Sequence, residues 1–264
     1  MRALALKVLP ALVLATIAVV PVGVRATPST IFWAPSTPAV QAFGVMHLTY
    51  DTYFSDRAAY PIDLGATVGV LPWMGLQAEA GFDLLYPSVA GAEAIELPIV
   101  LNGKVGAPED VYFRGQPAWA LGVFGVGFES GSNDQHVLYG VLGKTLPHIG
   151  MAQVGAYYGL TEERFRSAAG QVNQSGLLAG WSSPAIDAPL IDKIVLAWDV
   201  QTGDNVLGAT GGGVSVYFTP TIALLTGPVF FFEEELQPGG SSWSWSVQLD
   251  VDIDFSPDGG RRLP

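Results

Sequence analysis

From residue 242 to residue 255 the chain separates odd from even positions without exception. Trp243, Trp245, Val247, Leu249, Val251, Ile253 and Phe255 stand on one side. Ser242, Ser244, Ser246, Gln248, Asp250, Asp252 and Asp254 stand on the other. A period of two belongs to a β-strand, whose successive side chains leave opposite faces. Strands of soluble proteins usually run only about five or six residues. A longer strand with one wholly apolar and one wholly polar face predicts a wall with hydrocarbon outside and water inside.

The same sorting recurs upstream. Met46, Leu48 and Tyr50 oppose His47, Thr49 and Asp51, and Ile62, Leu64, Ala66 and Val68 oppose Asp63, Gly65 and Thr67. Leu76, Ala78, Ala80 and Phe82 oppose Gln77, Glu79 and Asp83, and Ile99, Leu101 and Val105 oppose Asn102 and Lys104. Val154 and Ala156 oppose Gln153 and Tyr157, and Ile194, Leu196 and Trp198 oppose Lys193 and Asp199. Segments 117–128, 135–144, 174–183, 206–218 and 221–232 read as strands whose glycines and mixed faces leave the phase open. Pro-containing stretches at 71–73, 146–148 and 219–220, with 201–205, read as tight connections, and longer polar stretches come between them. Residues 106–116 and 182–191 are long on the tight-turn side. The count is about twelve strands, and an even count puts both termini on one side, the periplasmic one.

Residues 1–26 carry Arg2 and Lys7 ahead of an apolar run with Pro10 and Pro21, then Val24 and Ala26 at the small positions of a cleavage site. This reads as a secretory signal, cleaved near Ala26. The run is short of the roughly 20 residues that a helical span needs. Those 26 residues hold three bases and no acid, so their removal takes the formal charge from -12 to -15. Such a balance excludes a basic nucleic-acid binder. The absence of Cys excludes a disulfide scaffold, thiol catalysis and a Cys-ligated zinc site. Charged residues make up 14%, against about 25% in ordinary globular chains, which argues against a helical bundle.

Each unpaired backbone group in hydrocarbon costs several kcal/mol, so a strand there needs partners on both edges, and only a closed sheet supplies them. Strand length, and aromatic residues near strand ends (Tyr53, Trp73, Tyr86, Trp119, Trp181, Trp243, Trp245), favour that closure over a soluble sandwich. The expected fold is therefore all-β: a transmembrane antiparallel barrel of about 12 strands over residues 41–255, with a tail at 256–264. Leu249, Val251, Ile253 and Phe255 resemble the closing strand of bacterial outer-membrane β-barrels, which ends on Phe. By that resemblance they form the signal read by the barrel assembly machinery, although here Ser256–Pro264 extend past the Phe. The chain also resembles porin-like barrel proteins of Gram-negative bacteria, in architecture and without a diagnostic site.

Inside such a barrel Asp51, Asp63, Glu79, Asp83, Asp250, Asp252 and Asp254 would form one acidic wall, because closure makes the first and last strands neighbours. Like charges along a passage favour cations. The expected role is a channel or passive transporter for small hydrophilic solutes or ions, cation-preferring, in contact with outer-membrane lipids, without cofactor or metal and not an enzyme. Lys104 and Lys193 would be the lumen bases, and the carboxylates could instead pair with them, or with Arg57 or Arg114, and close the barrel. Residues 27–40, apolar but not strand-like, read as a periplasmic arm or a luminal plug. The alternatives in function are a plugged structural or adhesion barrel acting through its loops, and an outer-membrane hydrolase. For the hydrolase, His47, His136 and His148 are candidates, His136 lying close to Ser130, Ser132, Asn133 and Asp134. No hydrolase motif surrounds them. Glu233-Glu234-Glu235 reads as a solvated loop run.

Overall fold

The computed structural model describes residues 30–55, 62–86 and 96–256. The signal segment, its cleavage point at Ala26, the loop residue Arg57 and the tail beyond Ser256 lie outside the described residues. Twelve strands follow in order: β1 (Val45–Phe54), β2 (Ile62–Trp73), β3 (Leu76–Tyr86), β4 (Ile99–Ala107), β5 (Ala118–Val126) and β6 (Asp134–Leu146). Then come β7 (Gly150–Gly159), β8 (Ser175–Ser182), β9 (Lys193–Gln201), β10 (Ala209–Thr219), β11 (Ile222–Phe231) and β12 (Trp243–Asp254). Each strand pairs antiparallel with its sequence neighbours, and β1 pairs with β12, so the sheet closes. The closing register runs from Val45 opposite Asp254 to Phe54 opposite Trp245. Among the described residues no helix is long and apolar enough to cross a membrane.

One rim carries the start of β1, the end of β12 and the connections after β2, β4, β6, β8 and β10. The other carries the connections after the odd-numbered strands. The turn between β2 and β3 sits later than Leu71-Pro72-Trp73. Pro72 and Trp73 remain paired with Gln77 and Leu76, and the chain reverses at Met74 and Gly75, with φ of 49° and 86°. A type I′ hairpin turn needs left-handed backbone at both central positions, which proline cannot adopt. A bulge between Gly69 and Leu71 shifts the register before it. The connection at 201–205 is also longer than expected, because β10 starts only at Ala209.

The long connection between β4 and β5 folds back on β6. Glu109 accepts from the Thr145 N–H at 2.7 Å and hydroxyl at 2.6 Å, and Lys144 Nζ stands 2.7 Å from its other oxygen. Burial pushes this carboxyl up, but the bonds from Lys144 and Thr145 outweigh it and hold it below the ordinary 4.5. A lowered pKa means the tie is complete above the ordinary value and is lost as pH falls through the lowered one. The Thr145 amide resonance should therefore titrate with a midpoint below 4.5, and Glu109→Gln should abolish that titration.

The outer surface is apolar. Leu121, Val154 and Leu177 are 57–63% exposed, and the outward indoles Trp198, Trp243 and Trp245 are 39–45% exposed. So large an uncovered apolar surface is foreign to a water-soluble monomer and suits lipid. In single-Trp variants, brominated lipid should quench Trp198 and Trp245 strongly and leave Trp33, which is directed inward, little affected. Equal quenching of all three would contradict the facing assigned here.

Candidate functional site

The inner face is two unlike half-cylinders. On β12 and β1–β4 the inward positions are polar, with Gln248, Asp250, His47, Asp51, Asp63, Glu79, Asp83, Asn102 and Lys104 among them. On β6, β8, β9 and β11 they include Val137, Val141, Leu178, Ala197, Leu225 and Val229, each at most 7% exposed.

Residues 30–42 run inside the ring and cover the apolar half. Phe32, Ala34 and Ser36 are fully buried, and Ile31 and Phe32 pack with Ala197, Ala209, Leu225 and Val229. The ring of Phe32 takes the space left by two glycines. A Cβ on Gly211 would stand 2.6 Å from it and one on Gly213 2.8 Å. Asp199 holds the segment by its backbone. The N–H groups of Phe32, Trp33 and Ala34 converge on its carboxylate at 2.8, 3.0 and 2.8 Å. Three donors onto one buried anion replace the hydration it gave up. Gln248 Nε2 donates to Phe32 O at 2.8 Å, and Trp33 Nε1 to Leu207 O at 3.0 Å.

The acidic residues take different stations on the polar half. Glu79 lies 3.2 Å from Lys104 Nζ and also accepts the Gln41 N–H at 2.6 Å, a second tie to the inner segment. Asp252 meets His47 Nδ1 at 2.6 Å, and Asp250 stands 3.6 Å from His47 Nε2. Asp83 accepts from the Asn102 amide. Asp51 and Asp63 face each other across β1 and β2, each with one oxygen that is buried and lacks a hydrogen-bond partner. Asp254 is exposed at the terminal rim, where it accepts the Ser256 N–H. Lys193 sits 4.1 Å over the Tyr217 ring. Arg114 is exposed in the connection after β4. Leu249, Val251 and Ile253 form an outward row on β12, and Phe255 extends the pairing by donating its N–H to Gly44 O at 2.9 Å.

Above the inner segment, toward the loop rim, lies a cavity of about 490 Å³. Asp51, Asp63, Asp83, Lys104 and Gln201 line it, with Trp33, Tyr53 and Phe231 as its aromatic part and Ser55, Gln237 and Ser241 toward the loops. Trp33 packs edge-on against Tyr53 at 5.6 Å and Phe231 at 5.3 Å between centroids.

Sequence reasoning missed Asp199, Gln248 and Gln201. A lone carboxylate on an inner face of small residues was the available signal for Asp199, since such a group must accept from something. Of the histidines, His47 is committed to Asp252 and Asp250. His136 stands at the loop rim with Nε2 3.0 Å from Gly127 O and Nδ1 3.4 Å from Thr161 Oγ1. His148 lies in the turn after β6, with φ of 65°.

No family model and no curated protein matches the chain. Among solved structures, it is similar to an outer-membrane channel from Pseudomonas putida F1, at 11% identity and a TM-score of 0.48, over 86% of this chain and 99% of that one. It is similar to the NanC porin at 13% identity and a TM-score of 0.47, over 79% of this chain and 98% of that one. It is similar to outer-membrane phospholipase A from Escherichia coli at 14% identity and a TM-score of 0.43, over 82% and 94% of the two chains.

His47→Ala would leave the Asp252 side chain, which exposes nothing, as an uncompensated buried charge. Urea unfolding in lipid vesicles should show a loss of about 3–5 kcal/mol, largely restored by His47→Asn, which keeps a donor. Equal losses in both variants would refute the pairing.

Proposed function

We propose that this chain is an outer-membrane channel for small hydrophilic solutes, cation-preferring, with residues 30–42 as its internal gate. The observation that carries this reading is the cavity above the segment. It reaches the loop rim and is lined by three carboxylates that have no base of the described residues within ion-pair distance. Anionic walls in a space of low dielectric raise the local concentration of cations. Leu249, Val251, Ile253 and Phe255 are the row that the assembly machinery would read, and the lipid-facing belt supports a place in the outer membrane.

A plugged structural barrel is the second reading. The three N–H groups on Asp199 favour it, because so many bonds make the inner segment costly to move. A hydrolase has less support. Thr161 and His136 form a hydroxyl–imidazole pair at the loop rim, but the pair is long and its remaining partner is a backbone carbonyl.

Planar-bilayer recording separates these readings. Asp199→Asn and Phe32→Ala each weaken the hold on the inner segment and should raise open probability about tenfold or more over the unmodified chain, with reversal potentials on the cation side. Heat-modifiable gel mobility reports that each variant remains a barrel. Variants as silent as the parent would establish the structural reading, and anion selectivity would remove the cation preference.

A further inference from the structure

The polar wall of the cavity brings three carboxyl groups together on neighbouring strands. Asp51 and Asp63 are direct cross-strand partners, and Asp83 pairs with Gly65, two residues along β2 from Asp63. One oxygen of Asp51 and one of Asp63 are buried without a hydrogen-bond partner. Opposed like charges destabilise a sheet pair, and the penalty grows as water is excluded. Among the described bases, the ion pairs of Lys104, Lys144, Arg164 and Arg166 go to other acids.

On β9, Gln201 is 2% exposed and lines the same cavity, and its Nε2 makes no hydrogen bond of full geometry, the Tyr157 hydroxyl being the polar group beside it. A buried donor without a well-placed acceptor forfeits its hydration. One wall of the space thus offers two facing carboxyl groups and the other a buried amide donor. Between them lie the rings of Trp33, Tyr53 and Phe231, surfaces for the apolar middle of a ligand and, through their faces, for a cation. At about 490 Å³ the cavity falls within the usual range of small-molecule sites, about 300–1,000 Å³.

We propose that this cavity binds a small zwitterionic solute, its ammonium or guanidinium end on Asp51 and Asp63 and its acceptor end on Gln201 Nε2. The proposal deepens the channel reading and rests on it only for the solute's route to the site.

The test is titration calorimetry on the refolded full barrel in an uncharged maltoside detergent, with L-arginine, agmatine and L-glutamate as probes. Arginine carries both a guanidinium and a carboxylate, agmatine lacks the carboxylate, and glutamate has a net negative charge. Arginine should bind about tenfold tighter than glutamate or more. Asp51→Asn with Asp63→Asn should weaken both guanidinium probes by about tenfold or more. Gln201→Leu should weaken arginine and leave agmatine within about twofold. No binding of arginine, equal binding by the double variant, or equal loss of arginine and agmatine in Gln201→Leu would each overturn the proposal. Should the double variant fail to fold, the arginine–agmatine comparison in Gln201→Leu decides alone. Bilayer recordings on the same preparation keep the two readings apart. Binding without conductance sinks the channel and spares the site, and conductance without binding does the reverse.

Discussion

The backbone hydrogen bonds between β1 and β12 are the constraint on which the rest of this molecule depends. A sheet in hydrocarbon cannot keep an unpaired edge, since each bare group there costs several kcal/mol. Closing the ring removes both edges at once. It also brings together residues that are far apart in the chain: His47 reaches Asp252, 205 positions away, and Asp51 comes to face Gln248. The His47–Asp252 part of the charged inner wall is thus a product of closure. No single hairpin of this chain could assemble it.

Closure also fixes an inner volume that must be either wet or packed. This chain does both. Residues 30–42 pack the half lined by Val137, Leu178, Ala197 and Val229, while the half lined by Asp51, Asp63 and Asp83 keeps an open cavity. The division follows from the side chains. An aliphatic inner face gains by covering itself, at roughly 25 cal/mol for each Å² removed from water. A carboxylate loses its hydration unless donors replace it. Asp199 is the exception on the apolar side, and it draws its replacement donors from the backbone of the segment it holds.

The closed β architecture was legible from the sequence because lipid and water impose opposite demands on alternate residues, and β12, β1, β2 and β3 obey both. The phase of β5, β6, β8, β10 and β11 was not legible, for the complementary reason. Their inner faces meet protein instead of water, so Val137, Leu178 and Val229 point inward while Leu138, Leu177 and Phe230 point outward. When both neighbours of a strand are apolar, alternation carries no sign. The inward acids of β1–β3 could be read from parity, but their partners could not. The bond from Glu79 to the Gln41 N–H and the bonds from Asp199 to residues 32–34 depend on where a non-repeating segment lies, and no period encodes that. Asp199 itself stood in plain view on the polar side of β9. What hid it was the assumption that a lumen carboxylate answers to solvent.

The two ties on the inner segment differ in kind, and the difference bears on how a path could open. The hold around Phe32 combines the Asp199 bonds with a ring seated over Gly211 and Gly213, so releasing it exposes apolar surface and a buried anion together. At Gln41 the N–H donates to a Glu79 carboxylate that already has Lys104 beside it. Letting go at Gln41 leaves Glu79 paired with Lys104. The end next to β1 is also joined to that strand by the chain itself, so the end that can leave is the Phe32 end, and its release is the costly step. Opening under the proposed gate would uncover the inner aliphatic face together with Asp199, because the three N–H groups and the Phe32 ring hold the same stretch.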